Sequence, residues 1–301
     1  MSLLIECRNV SRRFGSKVAL DNVSFEVNRG APVALVGPNG AGKTTLFSLL
    51  CGYLSPSTGS IAILGHKPGS PALINQLSAL PQDALLDPRF SIGHQLKFYA
   101  RLQGLSSAEQ QRETERCLEL VSLSDSIDQL PAELSHGMRK RVSIAQALIG
   151  QPEIVMLDEA TAGLDPKNAR QIRELVADLA GEITFILSSH DLNELERLCG
   201  SVLFLEQGQL RQQNVVSHES VTNTLTLRMQ AITDEFIPAL EALPGMLNVQ
   251  TRTRNEFVLL FDPQISADMH IQVLSLCYQR GWSYRQLIAG ATLENMLFEN
   301  A

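Results

Sequence analysis

The chain's strongest chemical signal is the stretch Gly37, Pro38, Asn39, Gly40, Ala41, Gly42, Lys43, Thr44 and Thr45. Gly37, Gly42, Lys43 and Thr44 fill the spacing G-x-x-x-x-G-K-[ST]. Glycines at these places let backbone N–H groups face a phosphate chain, and a helix beginning there adds its dipole. Lys43 is then placed to reach the β- and γ-phosphates of a nucleoside triphosphate, and the Thr44 hydroxyl to bind Mg²⁺. A second signal is the carboxylate pair Asp158–Glu159 behind the apolar run Ile154–Leu157. Alone, such a pair more often has a helix-capping or surface role. Beside a phosphate loop it reads as a metal ligand, Asp158, and a group that orients or deprotonates the attacking water, Glu159.

The flanking elements suit that chemistry. "APVALVG" is a continuous apolar strand and "KTTLFSLLCGYL" a helix, the strand–loop–helix setting that the phosphate loop requires. Unbroken apolar residues before Asp158 suit a parallel strand buried on both faces. "TFILSS" is a further strand ending at His190, followed by a helix with Asp191 as N-cap and Gly200 as stop. "SIGHQLKFYARLQG" and "SSAEQQRETERCLELVSL" carry helical periodicity, the latter opening with a Ser106/Glu109 capping box. Asp165 reads as an N-cap ahead of Pro166.

One helix start is anomalous. In "LSHGMRKRVSIAQALIG", Ser135 is a plausible N-cap, yet Arg139, Lys140 and Arg141 lie in the first turns. Cations there oppose the macrodipole, at about 0.3–1 kcal/mol each. Such a start asks for a negative group, and at least two of the three cations are expected to face solvent.

Whole-chain features narrow the class. A net charge of −7 argues against a nucleic-acid binder that relies on basicity. Five scattered cysteines without a CxxC pair read as reduced thiols in a cytosolic protein. The opening "MSLLIECRNV" lacks the pattern of a secretory signal, and no apolar run approaches the ~20 residues of a membrane span.

Taken in order and spacing, the phosphate loop, "LPQD", "LSHGMRKR", "IVMLDE", "AGLD" and "SSH" resemble the ATPase subunit of ABC transporters over about residues 3–215. The resemblance implies an α/β P-loop NTPase of the ABC type, a mixed sheet with helices and a helical subdomain at about 83–150. It implies ATP and Mg²⁺ as cofactors and a head-to-tail pair with a second copy or a similar subunit. The anomalous helix becomes the signature helix, whose awaited negative group is the γ-phosphate held by the other chain, met by Ser135 and Gly137. By the same resemblance Phe14 stacks on adenine, Gln82 joins the Mg²⁺ shell, Asp165 lies near the dimer seam and His190 contacts the γ-phosphate. The signature departs from L-S-G-G-Q at His136 and Met138. It keeps its second glycine, and bulky first positions are familiar in exporter ATPases. Ala160 stands where proline is frequent.

From residue 216 to 301 the pattern changes to β-α-β-β-α-β, with a strand at "LTLRMQ", two strands around a turn at Arg254–Asn255 in "NVQTRTRNEFVLLF", a strand at "WSYRQLI" and a terminal helix at "ATLENMLFENA". That order suggests a small ferredoxin-like accessory domain. The expectation is an ATP-hydrolysing subunit that powers a separate membrane permease, for export, from the cytoplasmic face of the membrane. An importer ATPase with a regulatory domain and a soluble ABC ATPase not coupled to transport are the alternatives. No nucleic-acid partner is expected, and the transported substrate is not legible.

Overall fold

Two kinds of strand build the first part of the chain. β1 (Leu3–Phe14) and β2 (Lys17–Asn28) form an antiparallel hairpin around Gly15, whose φ of 58° suits glycine at the turn. Along β2, Val23, Phe25 and Val27 are buried and Ser24, Glu26 and Asn28 exposed, the alternation of a sheet with one wet face. In β3 (Val33–Val36), by contrast, every residue is buried. Such a strand must be covered on both faces, which favours parallel pairing.

α1 (Lys43–Leu50) follows the phosphate loop, and β4 (Thr58–Ile63) completes a three-stranded sheet in the order β2-β1-β4. α1 is shorter than the apolar periodicity suggests. The chain leaves it at Gly52, whose φ is 75° and where an added Cβ would lie 2.5 Å from the Gly69 backbone nitrogen.

β5 (Leu77–Leu80) precedes three helices, α2 (Ile92–Leu102), α3 (Ser107–Leu120) and α4 (His136–Ala147). The start of α3 is fixed by Glu109, whose carboxylate accepts from the Ser106 backbone N–H at 2.8 Å and from its hydroxyl at 2.6 Å. Next come β6 (Ile154–Asp158), α5 (Pro166–Leu179), β7 (Thr184–Ser188), β8 (Ser201–Glu206) and β9 (Gln209–Val215). The second sheet has the order β5-β6-β7-β3-β8-β9, and only the β8–β9 pairing is antiparallel. Its core, including Ile5, Leu20, Val27, Leu46, Leu49 and Ile186, is shared between the two sheets and α1. Because β5, β6, β7 and β3 run parallel, their carboxyl ends lie at one edge, where ligands of α/β sheets bind.

The structure, a computed structural model, describes residues 2–189, 195, 198–215 and 223–289. It divides into two units, Met1–Val215 and Val216–Ala301. His190, Asp191 and the expected terminal helix fall outside the described residues.

In the second unit the order is β10 (Thr224–Met229), α6 (Phe236–Glu241), β11 (Met246–Thr253), β12 (Glu256–Phe261), α7 (Met269–Arg280) and β13 (Tyr284–Ala289). The four strands form one antiparallel sheet, β11-β12-β10-β13. Pro238 sits in the first turn of α6, where a missing N–H costs nothing. Gly281, at φ 69°, stops α7. The core is aromatic: the Phe236 ring lies 4.9 Å from Phe257 and 5.1 Å from Trp282. Among the described residues, no helix is long and apolar enough to cross a membrane.

Candidate active site

The phosphate loop joins β3 to α1, and its glycines are required by space as well as by backbone angle. At Gly37 (φ 156°) an added Cβ would lie 2.1 Å from the Leu205 carbonyl oxygen. At Gly42 (φ 108°) it would lie 2.7 Å from the Ala19 carbonyl oxygen and 2.8 Å from Leu20 Cδ2. Pro38, Asn39 and Gly40 are exposed, Ala41 is buried, and the Ala41 carbonyl accepts from the Gly208 N–H at 3.0 Å. Lys43 Nζ donates to the Gly37 carbonyl at 2.6 Å and the Pro38 carbonyl at 3.2 Å, so the ammonium lies against its own loop. Burial pushes the Lys43 pKa down, while the charges of Glu159 and Asp158 oppose that shift. The loop follows β3 and the carboxylate pair ends β6, and the parallel pairing of both strands with β7 puts them at one edge of the sheet. Thr44 is exposed and Thr45 half-buried at the start of α1.

Asp158 ends β6 and is buried. Glu159 follows with φ 48°, a left-handed conformation that costs a non-glycine residue about 1–2 kcal/mol. That backbone is held by the neighbouring strand. The Glu159 N–H donates to the Ser188 carbonyl at 3.1 Å and to its Oγ at 3.0 Å, and the Ser188 hydroxyl donates to Asp158 Oδ1. Sequence reasoning missed Ser188. The available signal was a hydroxyl inside a strand buried throughout, which must find a partner.

Gln82 stands two residues past β5, exposed, at the same carboxyl-end edge. The hydroxyl of Thr44, the amide oxygen of Gln82 and the carboxylate of Asp158 are all oxygen donors, the hard ligand type that Mg²⁺ takes. Phe14 closes β1 and is 44% exposed, which excludes an ordinary core role, and the Arg12 guanidinium lies 4.6 Å from its ring centroid.

The start of α4 is capped as the sequence suggests, with Ser135 Oγ accepting from the Met138 N–H at 3.2 Å. Its cations correct the expectation that at least two of them face solvent. All three are half-buried. Arg139 Nη1 donates to the Leu134 carbonyl at 2.6 Å, and Arg141 Nη1 to the Val121 carbonyl at 2.8 Å. Weakly hydrated guanidinium groups with several donors can serve such carbonyls. Burial pushes the Lys140 pKa down, opposed by the charges of Asp158, Glu159 and Asp83.

Gly137 is buried, and an added Cβ would lie 2.4 Å from Cγ of Asn168. Asn168 is in the first turn of α5, which Asp165 caps by accepting from the N–H groups of Lys167 at 3.0 Å and Asn168 at 3.1 Å. Asn168 Nδ2 also donates to Asp165 Oδ2 at 2.5 Å, and this side-chain bond leads in holding the Asp165 carboxyl below its ordinary range. Intrachain packing is thus a further reason for glycine at 137. Two groups result: Lys43, Asp158, Glu159 and Ser188 at the strand ends, and Ser135, Gly137 and Asp165 at the adjoining starts of α4 and α5.

A phosphate-type loop on a parallel strand, with a carboxylate pair two strands away in the same sheet, defines a P-loop NTPase. The family model for ABC transporters matches residues 20–162. Nod factor export ATP-binding protein I of Cupriavidus metallidurans is 36% identical over 213 residues, 69% of this chain and 70% of that protein. Linearmycin resistance ATP-binding protein LnrL of Bacillus subtilis is 28% identical over 279 residues, 90% of this chain and 88% of that protein. Among solved structures, an ATP-binding subunit of an ABC transporter is 29% identical with a TM-score of 0.64, covering 71% of this chain and 90% of that one. The chain belongs to the ATP-binding subunits of the ABC transporters, a family of ATPases.

Proposed function

We propose that the first unit hydrolyses ATP in a site completed by a second copy of the chain or a similar subunit, and that it powers a separate membrane permease. The observation that carries the reading is the placement of the phosphate loop after β3 and of the Asp158–Glu159 pair at the end of β6, at one edge of a parallel sheet. Water attacks the γ-phosphorus, the bond from that phosphorus to the ADP oxygen breaks, and Glu159 accepts the proton of the water. Lys43 and the N–H groups of residues 37–45 stabilise phosphate charge. Mg²⁺, held by Thr44, Asp158 and Gln82, supplies charge neutralisation when bound. Phe14 stacks on adenine, and His190 contacts the γ-phosphate. The partner chain contributes its own Ser135 and Gly137, with Asp165 at the seam.

Export is the direction favoured, because both relatives above are named for export or resistance. The second unit is read as a ferredoxin-like accessory domain, and the assembly is placed on the cytoplasmic face of the membrane through the permease. The test is transport into inside-out vesicles carrying the cognate permease. ATP-dependent accumulation that Lys43→Ala abolishes supports export, and ATP-driven efflux from those vesicles contradicts it.

A further inference from the structure

We propose that Ser188 is a positioning residue for the Asp158–Glu159 pair, coupling the metal-binding carboxylate to the backbone of the water-activating residue. The inference rests on the site reading given above.

β6 and β7 pair in parallel with Asp158 opposite Ser188 at the last rung of the ladder. Both residues are buried, Ser188 at 4% and Asp158 at 7% exposure. A serine hydroxyl has one proton and two lone pairs. Here the proton goes to Asp158 Oδ1, while a lone pair accepts the Glu159 N–H at 3.0 Å. The same N–H is also taken by the Ser188 carbonyl at 3.1 Å. The donated bond fixes the rotation of the Asp158 carboxylate. The accepted one helps to hold Glu159 in its left-handed conformation at φ 48°, which sets the direction of its side chain. One hydroxyl therefore joins the carboxylate of Asp158 to the backbone of Glu159. Buried partners of metal-binding carboxylates typically change metal affinity or activity 10–100-fold when removed.

The test compares Ser188→Ala, Ser188→Cys and Ser188→Thr in the full chain. Binding of ATP is measured by calorimetry in EDTA and across an Mg²⁺ titration, and kcat is measured beside KM. Alanine removes the hydroxyl, cysteine replaces it with a weak donor of similar shape, and threonine keeps it on a β-branched side chain suited to a strand. The expected result is that Ala and Cys keep ATP affinity in EDTA, need about tenfold more Mg²⁺, and lose about tenfold or more in kcat with KM little changed. Threonine should restore both. Wild-type Mg²⁺ dependence and kcat in Ser188→Ala, or in Ser188→Cys should alanine not fold, overturns the proposal. So does a threonine variant as impaired as the alanine one, which would mark a packing role. Lys43→Ala separates the two levels. Full ATP turnover in that variant defeats the site reading itself, whereas its loss alongside normal Ser188 variants defeats this inference alone.

Discussion

The two units of the chain both place helices with a sheet, yet they treat polar groups differently. In the first, β5, β6, β7 and β3 are parallel, so their carboxyl ends and the loops that follow collect at one edge. That edge carries Gln82, Asp158–Glu159, Ser188 and the phosphate loop. In the second, neighbouring strands run in opposite directions, so strand ends are divided between two edges, and among the described residues no edge gathers a comparable set. Parallel pairing demands strands buried on both faces and long crossovers, and in return it concentrates chemistry. The antiparallel unit concentrates packing instead, around Phe236, Phe257 and Trp282.

The comparison is sharpest at Glu159. Glutamine keeps the shape but cannot accept a proton, so Glu159→Gln should lower turnover about 10²–10⁴-fold while ATP affinity holds. Steady-state ATPase assays beside nucleotide calorimetry check this. Near-normal turnover would remove Glu159 from the chemistry. Lys43→Ala comes next. Loss of a point charge at the phosphates should cost about 10²–10³ in turnover or more, with circular dichroism unchanged.

A core change in the second unit should do the reverse. Phe236→Ala leaves a cavity among aromatic rings and should cost that unit about 3–5 kcal/mol. Denaturant titration followed at Trp282, the chain's one tryptophan, reads it directly. Basal turnover should stay within about twofold, because Phe236 packs within the core of its own unit. A large loss of basal turnover would show that the two units are not separable. The smallest effect concerns thiols. Burial leads in pushing the pKa of Cys7, Cys51 and Cys117 up to about 12, so each stays protonated at pH 8. A thiol reagent at pH 8 should modify these three only when the protein is unfolded, as peptide mass mapping can show.

What the sequence made legible was local. The phosphate loop, the Ser106/Glu109 box, the Ser135 and Asp165 caps and the turn at Arg254–Asn255 all depend on residues within a few positions of each other. The missed features join distant positions. Ser188 meets Asp158 across 30 residues, Asn168 covers Gly137 across 31, and Arg141 reaches the Val121 carbonyl across 20. The cations of α4 were misjudged for that reason: the macrodipole is a local rule, and the carbonyls that receive Arg139 and Arg141 belong to preceding segments. Ser188 was hidden further because a serine at a strand end looks like the start of a loop.

The central claim is that the site at the strand ends is shared between two chains. Sedimentation of Glu159→Gln, with and without ATP and Mg²⁺, tests it most directly. The account predicts a monomer without nucleotide, a dimer with ATP and Mg²⁺, and a return to monomer when Ser135→Arg is added. A Glu159→Gln chain that binds ATP with full affinity yet stays monomeric would contradict it.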